Sequence, residues 1–153
     1  MTDEWLRPLL RLGAAALAGG AVGLERQLRG RPAGLRTHML VSLGAAIVVA
    51  LADGASPDAA SHVIQGVVTG VGFLCAGEIL HRVRAGEEVV TGLTSAASLW
   101  VTGALGMAAA TGRWALTVVG TVATLGTLTL VHNVEKALPV ARAPGADDTG
   151  PRE

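Results

Sequence analysis

Tyrosine is absent from this 153-residue chain, phenylalanine occurs once and tryptophan three times. Set against a hydrophobic content of half the residues and a positive mean hydropathy, that scarcity of aromatics departs from an ordinary soluble domain. Lysine is nearly missing too: Lys136 is the only one, and arginine supplies the remaining basic charge. The net charge is zero and the basic residues sit in short loops, which argues against a nucleic-acid footprint. A single cysteine, Cys75, excludes an internal disulfide and a cysteine-based zinc site. It lies in an apolar run, where a small buried thiol is its expected role.

What the chain has is a segmented pattern of five apolar runs. They cover residues 8–24, 37–52, 62–80, 93–110 and 114–131, with charge confined to the connections. A helix needs roughly 17–25 apolar residues to cross a bilayer, so loop residues must complete each span. Five such runs in succession, with almost no charged faces, would leave a soluble protein no water-facing surface. The expected fold is therefore all-α: five transmembrane helices in residues 1–135, followed by a disordered tail over 136–153 rich in Pro, Gly, Ala and charge. Asp3 and Glu4 in the leading segment, and Arg11 within the first run, favour a retained helix over a cleaved signal peptide.

Arginine and lysine placement sets the expected orientation. Arg26, Arg29, Arg31, Arg36, Arg82, Arg84, Lys136, Arg142 and Arg152 fall on one side, and Arg7, Arg11 and Arg113 on the other. The richer side is cytoplasmic by the positive-inside rule, so the N-terminus is expected outside and the C-terminus inside. Trp5 and Trp114 then both fall at the outer interface, where indole rings are favoured.

Small residues dominate the runs. Gly19 and Gly23, and Gly66 and Gly70, have the small-xxx-small spacing that lets helix backbones approach, and Gly77 extends the second face. Polar stripes recur at helical period: His62, Gln65 and Thr69; Ser95, Ser98 and Thr102; Thr117, Thr121 and Thr124. Such stripes can line a hydrated route. For the hydroxyls the favoured expectation is plainer, a bond back to a carbonyl one turn earlier.

The stretch from Gly23 to Val41 has a loose echo from Gly77 to Trp100. In each, a helix ends on a carboxylate (Glu25, Glu78), a basic loop follows, and Gly-Leu opens a hydroxyl-bearing helix. The echo is compatible with a parallel repeat of helical hairpins related by an axis along the membrane normal. Helices two and four would then point free N–H groups and positive dipole ends at the cytoplasmic side. Glu25 and Glu78 are placed to cap those ends or to pair with Arg26 and Arg36. A polar cluster of Glu25, Arg26, Arg36, Thr37, His38, Glu78, Thr94 and Ser95 at the cytoplasmic mouth is the expectation. Arg11, about 21 Å from Glu25 along one helix, cannot join it and is expected to snorkel outward.

Catalytic and metal patterns are thin. Glu78-x-x-His81, with Glu25 and His38 near in topology, gives half of a carboxylate-bridged dimetal arrangement, and the second Glu-x-x-His is missing. The Gly72–Gly77 segment mimics a phosphate loop, yet Glu78 replaces its lysine. No triad pattern is visible. The expectation is a protein that is not an enzyme, with no cofactor and no metal site.

The residues GAVGLERQLRGRPAGLRTHMLVSLGAA at 20–46, VTGVGFLCAGEIL at 68–80 and GLTSAASLWVTGALGMAAATG at 92–112 resemble the MgtC/SapB family of bacterial inner-membrane proteins. The resemblance covers about three of every four residues, in order. It implies a five-helix, multi-pass inner-membrane protein linked to growth under magnesium limitation and to survival inside host cells. Some members are thought to act on membrane partners such as the F-type ATP synthase. Cys75 and Glu78 stand where many members have glycine and an aliphatic residue, which makes this mouth more acidic. The MgtC branch carries a soluble C-terminal domain where this chain has a short tail, so a SapB-like core protein is expected. Two functions compete: a regulator that binds another membrane protein or a second copy within the lipid bilayer, and a small carrier or channel for magnesium, protons or an anion.

Overall fold

The computed structural model describes residues 2–84 and 87–131. Five α-helices form in order: α1 (Thr2–Leu28), α2 (Leu35–Ala50), α3 (Pro57–Glu78), α4 (Leu93–Ala110) and α5 (Trp114–Gly126), the last continued by a π-helical turn over Thr127–Val131. α1 overruns the apolar stretch 8–24 at both ends, because apolar content marks where lipid is tolerated and not where backbone hydrogen bonding stops. Its stop is set locally. Arg31 N–H reaches the Arg26 carbonyl and Gly30 N–H the Gln27 carbonyl, the two bonds of a Schellman motif, with Gly30 at φ 64°. α4 ends the same way at Gly112, through Arg113 to Ala108 and Gly112 to Ala109. α3 starts ahead of residue 62 because Ser56 accepts from the Ala59 N–H at 3.3 Å and Pro57 opens the first turn.

The fold is all-helical as expected, with one local addition in the connection between α3 and α4. Leu80–Arg84 (β1) and Glu87–Thr91 (β2) pair antiparallel, Leu80 opposite Thr91, where a loop was expected. Leu80, Val83, Val89, Val90 and Thr91 carry the β-preferring or apolar character that a charge-based reading of this segment overlooks. Residues 132–153, including the whole of the expected tail at 136–153, lie outside the described residues.

α4 is the hub, packing against α1, α2, α3 and α5, while α1 and α2 form the closest pair. α3 packs mainly on α4 and leaves most of its length exposed; α5 touches α4 and α1. Glycines set the approach of the inner three helices. A Cβ on Gly19 would sit 2.7 Å from the His38 carbonyl oxygen, and one on Gly23 2.8 Å from the Leu35 Cα. On Gly106 it would collide with the Ser42 carbonyl, so α2 and α4 meet backbone to backbone. Gly66, Gly70 and Gly77 behave differently: a Cβ at each meets nothing within 4 Å. The spacing is right, but within one chain these three pack no helix.

α3 and α4 are each long and apolar enough to cross a membrane, while α2 and the α5 stretch Trp114–Leu130 are apolar but shorter. Exposed Leu17, Leu51, Phe73 and Val118 give the bundle an apolar exterior.

Candidate functional site

Polar groups are not spread evenly through this bundle. The half nearest the Trp5 end is sealed by small apolar side chains: Ala15, Ala46, Val49, Ala109 and Ala110 form one buried cluster. The half nearest the Arg26–Arg36 loop is polar inside. Arg26, His38, Ser42, Ser95, Ser98 and Thr102 are all buried, His38, Ser42 and Thr102 completely. The loop itself helps to close this region, since Ala33 tucks in against Val71, Cys75, Ala96 and Leu99.

Arg26, in the last turn of α1, donates through Nη2 to the Ser95 hydroxyl at 2.6 Å. His38, one turn into α2, places Nδ1 2.9 Å from the Gly34 carbonyl and Nε2 3.0 Å from the Ser98 hydroxyl on α4. Ser42 donates across to the Ala15 carbonyl of α1 at 2.7 Å. Three helices are thus stitched by side chains as well as by glycine contacts. Polar links of this kind hold membrane helices in register.

Charge gathers around Arg26. Glu25, Arg29, Arg31 and Glu78 all act on it electrostatically. Glu25 pairs with Arg29 one turn on, and Arg29 also donates through Nη1 to the Leu128 carbonyl at 3.0 Å, tying α1 to the π-helical turn. Among the described residues, Oε2 of Glu25 and Oε1 of Glu78 are buried without a hydrogen-bond partner, while Oε1 of Glu25 is ion-paired with Arg29. Burying carboxylate oxygens in that condition is costly.

Of the eight residues expected at the mouth, Glu25, Arg26, His38, Glu78 and Ser95 come together, and Arg36, Thr37 and Thr94 are exposed. Two expected contacts are corrected. Neither carboxylate caps a helix: α2 and α4 have no side-chain cap at Gly34 or Gly92, and Gln27 Oε1 accepts from the Leu35 N–H at 3.2 Å instead. Gln27 reaches because it faces the returning chain, whereas Glu25 is held by Arg29. Arg11 does not simply snorkel: its Nη1 lies 2.9 Å from the carboxylate of Asp53, just beyond α2. The hydroxyl stripes follow the plainer expectation, with Thr102 bonded to the Ser98 carbonyl, Thr117 to Arg113, Thr121 to Thr117 and Thr124 to Gly120. His62, Gln65 and Thr69 are exposed. The side chain of His81, partner of Glu78 in the Glu-x-x-His pattern, lies outside the described residues.

Sequence reasoning missed Gln27, Arg29 and the pairing of His38 with Ser98. Ser98 stood in a polar stripe one turn from Ser95, but nothing local says that it faces α2.

Compared with known proteins, residues 12–137 match the profile of the MgtC family. Protein SrpB of Synechococcus elongatus is 47% identical over 136 residues, covering 82% of this chain and 75% of that protein. The Escherichia coli K12 protein named "Putative magnesium transporter YhiD" is 43% identical over 143 residues, and protein MgtC of Salmonella typhimurium is 42% identical over 106. The chain spans 63% of the length of YhiD and 44% of that of MgtC. No solved structure matches.

Proposed function

Because this chain belongs to the MgtC family of membrane proteins, we propose that it is a multi-pass inner-membrane protein that binds and regulates another membrane protein, in cells short of magnesium. All five helices span the bilayer in this reading, with the N-terminus outside and the Arg26–Arg36 loop and C-terminus in the cytoplasm. The loop's arginines and the opposite placement of Trp5 and Trp114 support that orientation.

The observation that carries the reading is the bare face of α3. A membrane helix gains nothing from lining up glycines against lipid, whose tails fill the space as well as leucine does. Gly66, Gly70 and Gly77 nevertheless face open space, and Gln65 and Thr69 lie exposed on the same helix. A partner helix would close on the glycines and satisfy the polar groups. Affinity purification from membranes tests this: the wild-type chain should retain a stoichiometric partner, and Gly66→Leu with Gly70→Leu should lose it while keeping wild-type thermal stability. Retention of the same partner by the double variant would remove α3 from the proposal.

A second reading, a small carrier, is favoured by one observation: two carboxylates, Glu25 and Glu78, are buried beside Arg26, each with an oxygen that has no hydrogen-bond partner among the described residues. The name of YhiD points the same way for that protein. Between this cluster and the Arg11–Asp53 end lie the buried residues Ala15, Ala46, Ala109 and Ala110, which a route would have to pass. Purified protein in liposomes should move magnesium or protons down a gradient if this reading holds, and Glu25→Gln with Glu78→Gln should abolish the flux.

A further inference from the structure

His38 has no exposed surface, yet its ring has hydrogen-bond partners at both nitrogens that can serve two protonation states. The Gly34 carbonyl only accepts, so Nδ1 carries a proton in the observed arrangement. At Nε2 the partner is a hydroxyl, which both donates and accepts. That hydroxyl has a second option: Ser98 Oγ also lies 2.8 Å from the Ser95 carbonyl, against 3.0 Å from His38 Nε2. A serine has one proton to give. When it goes to the imidazole, the ring is neutral. When it goes to the Ser95 carbonyl, Nε2 must itself donate, and the ring is an imidazolium.

We propose that His38 is a proton-binding site and that the Ser98 hydroxyl is the rotor that reports its occupancy. Binding a proton at Nε2 breaks the Ser98 O–H···N bond, forms N–H···Oγ in its place, and turns the hydroxyl onto the Ser95 carbonyl. No heavy atom has to move, and no donor or acceptor of the set is left unmet. The proton comes from, and returns to, water at the end where Arg26 and Ser95 lie, because the other end is filled by Ala15, Ala46, Ala109 and Ala110. The charged groups acting on the ring are Arg26 and Glu25 of α1; α4 presents it only with hydroxyls, and Arg36 of its own helix is exposed. The hydroxyl turns onto the Ser95 backbone carbonyl, on the residue whose side-chain hydroxyl accepts from Arg26. The site is independent of what binds α3 or crosses the membrane.

Nitrogen-15 NMR of the histidine-labelled full chain in lipid nanodiscs tests this, with His38→Asn identifying the signal among the four histidines. The expected result is exchange between the imidazolium and the neutral form protonated at Nδ1 as pH changes. A neutral form protonated at Nε2, or a ring that stays in one state from about pH 4 to 9, would overturn the proposal. Ser98→Thr, which keeps a hydroxyl, should leave the midpoint in place, while Ser98→Ala should move it by about one pH unit. An unmoved midpoint in Ser98→Ala removes the rotor. The wild-type tautomer measurement stands even where that variant fails to fold, and none of these readouts depends on partner capture or ion flux.

Discussion

A single added methyl group separates two kinds of glycine in this chain. At Gly106 it would strike the Ser42 carbonyl, a backbone atom that cannot turn aside, whereas at Gly70 it would enter open space. Gly106→Ala should therefore cost about 1–3 kcal/mol or more, as overpacking does, read as a lowered thermal midpoint in detergent. Gly70→Ala should stay within about 0.5 kcal/mol of wild type in the same measurement. Ser42→Ala, which deletes the bond to the Ala15 carbonyl, should cost about 0.6 kcal/mol and no more than about 1.7 kcal/mol. The sequence made part of this legible. Gly19 and Gly23 have the right spacing and do pack α2, but Gly66 and Gly70 have the same spacing and do not. Spacing identifies a helix face and says nothing of what that face meets. Gly103 and Gly106 pack Val71 and Ser42 at a spacing of three, outside the pattern that was sought.

At the scale of elements, the ends of the helices were harder to read than their existence. The apolar runs located all five helices, since hydropathy reports the buried or lipid-facing middle of each. The caps depend on single contacts that hydropathy averages away, such as Gln27 at the start of α2 and the Gly30 and Gly112 motifs. The two positive-φ glycines flanking the polar half make this measurable. Gly30 has φ 64° and no neighbour within 4 Å of a Cβ, while Gly92 has φ 90° and the Glu78 carbonyl against it. Gly30→Ala should cost only the backbone strain, about 1–2 kcal/mol. Gly92→Ala adds a backbone collision and should destabilise more, a ranking that unfolding in a denaturing detergent series would establish. The reverse order would mean that the hairpin does not hold α3 and α4 as described. At the far end, the ion pair of Arg11 with Asp53 is largely in solvent, so Asp53→Asn should change stability by no more than about 1 kcal/mol.

For the whole molecule, orientation is the property most open to direct test. Cys75 is the only cysteine and is buried, so it contributes little background to thiol labelling. A membrane-impermeant maleimide should label Asp53→Cys on intact cells and Arg36→Cys only after permeabilisation; the opposite pattern inverts the proposed topology. The close contacts also divide the molecule mechanically. Gly19 and Gly23 against α2, Gly106 against Ser42, and Arg26 on Ser95 lock α1, α2 and α4 into a block that cannot slide without backbone collisions. α3 is attached to that block through Val71, Cys75 and their neighbours on α4, and through the hairpin and the Gly54 turn at its ends. α1, α2 and α4 are thus the tightly packed part of the bundle, and α3 a helix held by fewer contacts. Because Glu78 ends that helix beside Arg26, a partner that shifted α3 from its bare face would change the distance between these two charges.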